Sequence, residues 1–214
     1  WVEYVRVANP NMLWTKRVNN NYGDWVSVPP EITPKEILST AFFAYSSHLM
    51  ARTAAVLGKT DDARRYDAQF DAIKAAFNKA FVEPDGRIRG VPREDGKTKA
   101  ARGDTQTCYV LPLRFGLLPD DQREPAARRL VELIRENGGH LSTGFLGVGH
   151  LLPSLTETGN LDTAYGLLLK ESFPSWGYSI AHGATTIWER WDGWTAEKGF
   201  QDPGMNSFNH YSFG

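Results

Sequence analysis

Cysteine is nearly absent from these 214 residues: Cys108 stands alone, which excludes an internal disulfide and leaves the redox compartment undecided. Long hydrophobic runs are absent as well. No apolar stretch approaches the roughly 20 residues a helix needs to cross a bilayer, so no membrane partner is expected. Charge of one sign is also missing. Lys and Arg number 24 against 25 Asp and Glu, and the isoelectric point is near 6.6. That balance gives nucleic acid and anionic membranes no electrostatic footprint. The chain contains no GxSxG elbow, phosphate-cradling glycine loop, CxxC or HExxH. Acyl-transfer, nucleotide, redox and zinc chemistry therefore find no support, and no cofactor or metal is expected. A starting methionine and a basic-then-apolar leader are lacking too. The chain opens on Trp1, so processing or truncation is the expectation, and localisation (cytoplasmic or periplasmic) stays open.

Aromatic residues, in contrast, are plentiful at 12%, with seven tryptophans. Many sit beside Gly, Asn or Asp and outside helical stripes, which suggests a cleft lined with flat faces.

Helical patterning dominates the middle of the chain. TPKE at 33–36 reads as a helix start, with Thr33 as N-cap, Pro34 at the first helical position and Glu36 closing a capping box. The helix runs to Leu57 on the apolar face Ile37, Leu38, Ala41, Phe42, Tyr45 and Leu49, and Gly58 stops it. Tyr66, Phe70, Ile73 and Phe77 mark a second amphipathic helix, antiparallel to the first. A sparsely charged helix over 102–118, kinked by Pro112, pairs with one that opens at Asp120. Ala127, Leu130, Val131 and Ile134 face inward on this partner, and Gly138–Gly139 end it. A third pair covers Gly144–Leu155 and Leu161 to about Lys170, with Leu161, Ala164, Tyr165 and Leu168 as the stripe of its second helix. The first helix of each pair carries less charge than the second, as inner and outer layers would require. Helical hairpins without a visible sequence repeat favour a closed toroid over a regular solenoid. Two Asp-Gly signals flank Arg87–Val91, so 83–99 reads as a short β-hairpin or an irregular loop. The first 30 and last 40 or so residues fit no long helix and read as loops at one end of the scaffold.

Two of these loops hold the chemistry. In NNNYGDWVSVP (19–29), Asp24 sits between Gly23 and Trp25. The plainer reading is a turn in which Asp24 bonds nearby backbone amides. The functional one is a sugar platform, with an indole stacked on a pyranose and a carboxylate accepting its hydroxyls. In GATTIWERWDGW (183–194), Glu189 lies among tryptophans. Fewer waters reach a carboxylate against aromatic faces, which suits proton-transfer catalysis, although Glu189 could simply pair with Arg190 or Lys198. His182 and His210 read by default as structural histidines, and Cys108 as a small core hydrophobe. PGMNSFNHYSFG (203–214) adds Asn206, Asn209 and His210, whose amides and imidazole can bond hydroxyls in either direction.

NYGDW, PSWGY, GATTIWERWDGW and MNSFNHYSFG, in this order and spacing, resemble the catalytic domain of bacterial α-L-rhamnosidases, glycoside hydrolase family 78. The likeness runs along the whole chain. His210 follows 21 residues after Glu189 (189 to 210). The resemblance implies an all-α (α/α)6 barrel, a six-hairpin glycosidase, that hydrolyses terminal α-L-rhamnose from rhamnosides with inversion. It implies Glu189 as the general base that activates water. Trp25, and more loosely Asp24, correspond to the loop lining the rhamnose pocket, and His210 to a histidine that contacts the sugar. Trp188, Trp191 and Asp192 flank the base, with Trp188 a further sugar-contact candidate. The family's general acid lies upstream in a stretch resembling DCPQRERLGWTGD, and nothing of that kind occurs between Trp1 and Gly214. About six clear helices are present where a closed six-hairpin toroid needs about twelve. The expectation is therefore one domain over 1–214, the C-terminal part of a catalytic domain. Its partners would be a rhamnose-containing glycoside and either the remaining half of the domain or a second copy of itself. Another α/α-toroid glycosidase or lyase, and a non-catalytic carbohydrate-binding fragment, are the alternatives.

Overall fold

A computed structural model describes residues 1–16, 22–28, 32–91 and 103–214. Six helices form three consecutive hairpins: α2 (Lys35–Val56) with α3 (Thr60–Phe81), α4 (Gln106–Arg114) with α5 (Asp120–Glu136), and α6 (Phe145–Glu157) with α7 (Leu161–Leu168). A short α1 (Val2–Ala8) precedes them and packs on α2. The six-residue α8 (Trp176–Ala181) and a two-stranded ribbon, β1 (Trp194–Thr195) and β2 (Gly199–Phe200), follow.

The layering follows the charge asymmetry of the hairpins. α2 packs on α4 and α4 on α6, while α3, α5 and α7 each pack on the helix before them. The inner α4 is buried along Gln106–Leu113. Its polar residues are tolerated because each is bonded. Gln106 donates to the His140 carbonyl at 3.0 Å and accepts from the Ser142 N–H at 2.9 Å. The outer α5 keeps one apolar face, with Ala127, Leu130, Val131 and Ile134 buried. Asp120 and Asp121 lie in its first turn and Arg135 in its last, the signs that complement the helix dipole. The turn from α2 to α3 needs Gly58 at φ +69°, a left-handed position that a Cβ would disfavour.

Four expectations are corrected. Thr33 does not cap α2: Pro34 occupies the N-cap, and the Thr33 hydroxyl bonds that of Thr105 at 2.8 Å, joining the starts of two inner helices. The helix around Pro112 spans Gln106–Arg114, shorter than expected: the Thr105 hydroxyl caps its start by accepting the Cys108 N–H, and Gly116 at φ +68° follows its end. Leu161, Tyr165 and Leu168 are about half exposed, whereas Ala164 and Leu167 carry the buried face of α7. The eight-residue α7 packs chiefly on α6, which covers one side of it. Similarly, Leu49 of α2 is exposed. Over 83–91 the irregular-loop alternative is the one observed, with no strand among these residues. Phe81–Arg89 folds back through an isolated Val82–Ile88 bridge and a tight turn. The second Asp-Gly signal, at 95–96, and the asparagines at 19–21 fall outside the described residues.

The turn at 83–89 is held down from below. Tyr109, fully buried on α4, accepts the Ile88 N–H at 3.2 Å and donates to Asp104 at 2.6 Å. Asp104 in turn accepts three hydrogen bonds from Arg129 of α5, at 2.6, 3.0 and 3.2 Å. Burial pushes the Asp104 carboxyl up, but the Arg129 and Tyr109 hydrogen bonds outweigh it and hold it below the usual carboxylate range. Among the described residues no helix is long and apolar enough to cross a membrane.

Candidate active site

The loops before α2 and after α7 meet at the N-terminal end of α6. The first turn of α6 is their common support. Its N-cap is Gly144, which offers no side-chain cap. The cap comes instead from Asp24. Oδ1 of Asp24 accepts the Leu146 and Gly147 N–H groups at 2.8 and 3.0 Å, and Oδ2 accepts the Gly144 N–H at 2.8 Å and the Thr107 hydroxyl at 2.5 Å. Burial pushes the Asp24 carboxyl up, while these four hydrogen bonds pull the other way without cancelling it. Asp24 thus bonds backbone amides, but amides about 120 residues away. Both its oxygens are engaged inside the fold, and the side chain is buried. The Phe145 N–H donates to the Trp25 carbonyl at 3.0 Å, and the Val28 N–H to that of Ser142 at 3.0 Å. Gly144 is required by this approach: a Cβ there would lie 2.2 Å from the Trp25 carbonyl oxygen.

Residues 186–190 and 207–210 run side by side. The Glu189 N–H donates to the Ser207 carbonyl and the His210 N–H to that of Ile187, each at 2.8 Å. The Thr186 hydroxyl donates to the Phe208 carbonyl. The Ser207 N–H returns to Glu189 Oε2 at 2.7 Å, so one carboxylate oxygen is fixed by backbone. Among the described residues Glu189 forms no ion pair. Arg190 makes its hydrogen bonds elsewhere, forking onto Asp192 at 2.9 and 3.2 Å and reaching Asp202 at 3.3 Å, while its charge still acts on Glu189. The Asp192 hydrogen bonds hold the Arg190 guanidinium more firmly protonated than usual.

His210 lies flat on Phe145, ring centroids 5.1 Å apart and planes at 14°. Its Nδ1 accepts the Ser212 N–H at 3.3 Å, which in the neutral ring leaves the proton on Nε2 as a donor. Trp191 is buried, stacks on Phe213 at 4.1 Å and donates Nε1–H to the Thr143 carbonyl at 3.0 Å. Trp188 is buried edge-on against Phe208. Asn206 points inward, donating to the carbonyls of Gly193 and Gln201 at 2.8 and 2.6 Å, and thus ties the ribbon to the C-terminal loop.

A cleft of about 730 Å³ opens between these segments, lined by Trp25, Tyr178, Arg190, Trp191, Asp192 and Lys198 among others. A smaller hollow of about 300 Å³ is lined by Trp176, Ile187, Trp188 and Phe213. Of the sequence-derived candidates, Trp25 lines the large cleft and Trp188 the small one. Glu189 and His210 border neither: they lie together on the adjoining 187–210 ladder. Thr107, Gly144 and Ser207, which hold these residues in place, carry no local sequence signal. Among the described residues no cluster of His, Cys, Asp or Glu could hold a metal ion.

Over residues 1–214 the chain matches the bacterial alpha-L-rhamnosidase 6 hairpin glycosidase domain. It is 48% identical over 214 residues to an alpha-L-rhamnosidase of Streptomyces avermitilis, covering 100% of this chain and 19% of that protein. It is 42% identical over 201 residues to one of Formosa agariphila, covering 91% and 20%. Its fold is similar to the crystal structure of the Streptomyces avermitilis alpha-L-rhamnosidase complexed with L-rhamnose, with a TM-score of 0.88 and 47% identity over 100% of this chain and 19% of that one. The chain therefore spans about a fifth of the length of the curated relatives it matches.

Proposed function

Because this chain belongs to the family of bacterial α-L-rhamnosidase six-hairpin glycosidase domains, we propose that it is part of the catalytic domain of a rhamnoside hydrolase. In this reading the 214 residues are one piece of a single (α/α)6 domain. Glu189 is the general base of an inverting reaction, and Trp25 and His210 contact the sugar. The observation that carries the assignment is the seating of Glu189. Its Oε2 is fixed by the Ser207 N–H, while Oε1 accepts no hydrogen bond among the described residues. One oxygen orients the group, and the other is left for a water.

The chemistry follows from inversion. Water held by Glu189 attacks the anomeric carbon from the face opposite the glycosidic oxygen, and its proton passes to the carboxylate. The C–O bond to the leaving group breaks as a second carboxylic acid protonates the departing oxygen. Inverting sites place the two carboxyl groups roughly 6.5–9.5 Å apart to leave room for the water. In this proposal the second carboxyl comes from residues outside Trp1–Gly214. His210, with its proton on Nε2, donates to a sugar hydroxyl, and the exposed Trp25 indole offers its face to the pyranose.

Proton NMR of the first product tests the mechanism. With an aryl α-L-rhamnoside and the full-length protein, β-L-rhamnose should appear before mutarotation. First release of the α-anomer would overturn the inverting assignment.

A further inference from the structure

Asp24 matters to the candidate site through what it holds. A helix start is usually capped by its own N-cap side chain, Ser, Thr, Asp or Asn. α6 has Gly144 there, although Ser142 and Thr143 immediately precede it. Gly144 admits the carbonyl of Trp25 to a distance no other residue would allow, and Asp24 then supplies the missing cap from a distant loop. Taken alone, both features disfavour α6, yet together they dock the Trp25 loop onto it. The same turn seats two other parts of the site. The ring of Phe145 carries His210, and the Thr143 carbonyl holds the Trp191 indole.

We propose that Asp24 is a positioning residue for sugar binding: its carboxylate locks the Trp25 loop to the first turn of α6 and so sets Trp25 and His210 in register with each other. The proposal rests on the reading of Trp25 and His210 as sugar-contacting groups. Asp24 touches no substrate. Its replacement acts on the geometry of the two residues that do.

The test uses the full-length protein, with L-rhamnose affinity measured by calorimetry and kcat and KM on an aryl α-L-rhamnoside. Asp24→Asn keeps the shape but faces the Gly144 N–H with an amide. Gly144→Ala leaves every polar group in place and displaces the Trp25 carbonyl. Each should weaken L-rhamnose binding and lower kcat/KM about ten-fold or more, since a misplacement of about 1 Å can cost ~100-fold. Asp104→Asn, at a residue that lines neither the cleft nor the smaller hollow, should lower thermal stability and leave both readouts unchanged. Should Asp24→Asn fail to fold, Gly144→Ala carries the test alone. Folded Asp24→Asn or Gly144→Ala protein with wild-type rhamnose affinity and kcat/KM would overturn the proposal. The site reading is checked separately by Trp25→Ala and His210→Ala, which should each weaken L-rhamnose binding. Wild-type affinity in both would overturn that reading, and the positioning role with it.

Discussion

Replacing Asp104 with Asn removes one charge and leaves the shape of the side chain intact. In the native protein that carboxylate accepts three hydrogen bonds from Arg129 and one from Tyr109. Arg129 is nearly buried, at 13% side-chain exposure, whereas Asp104 is 35% exposed. A fully buried pair broken on one side would cost about 3–5 kcal/mol. The exposure of Asp104 and the remaining Arg129 contacts to Glu132 and Glu136 reduce this. About 2 kcal/mol is expected, a value in the range of one or two charge-assisted hydrogen bonds. For a chain of this size that lowers Tm by about 4–8 °C. The pH dependence gives the sign. The folded carboxyl is held below its ordinary range, so its contribution is fully present above the unfolded value of about 3.9 and is lost as pH falls through the folded value. Thermal unfolding by circular dichroism at pH 7, 5 and 3 should show the gap between parent and variant intact at the first two and shrinking at the third. A gap that is equal at pH 3 and pH 7, or below about 0.5 kcal/mol throughout, would refute the reasoning.

Leu130→Ala opens a cavity on the fully buried face of α5 and should cost about 2–5 kcal/mol by denaturant titration; a loss of a few tenths would mean α5 is not packed as described. The 214-residue chain leaves apolar side chains exposed at both ends of the helical array, including Val7 at 72% and Leu169 and Ile180 at 73% and 67%. Exposed apolar side chains drive association where they cluster into a patch. Sedimentation of the isolated chain should show self-association that rises with concentration, and a monomer at all concentrations would contradict it.

Periodicity made the long hairpins legible. Tyr66, Ile73 and Phe77 on α3, and Leu130, Val131 and Ile134 on α5, repeat over enough turns to define a face. The seven-residue α1 and six-residue α8 offer too few turns for that, and the two-residue strands of the ribbon give no alternation at all. Periodicity also shows which residues are apolar, but not which have a neighbour, and this is why Leu161, Tyr165 and Leu168 were expected inside. In the candidate site, the locus of Glu189 was legible from the density of acidic and aromatic residues around it. Its surroundings were not. Arg190 pairs with Asp192, two residues on, and leaves Glu189 to the Ser207 backbone. Asp24 reaches Thr107 and the start of α6 across 83 and 120 residues of chain. Contacts that distant depend on how three elements converge, and no local pattern encodes them.

The most direct measurement is turnover of an aryl α-L-rhamnoside by full-length protein carrying Glu189→Gln, set beside its affinity for L-rhamnose. With Glu189 as the base, the rate should fall on the order of 10²–10⁴-fold, the usual contribution of a positioned proton acceptor, while L-rhamnose still binds. Turnover at the parent rate would contradict the assignment of Glu189.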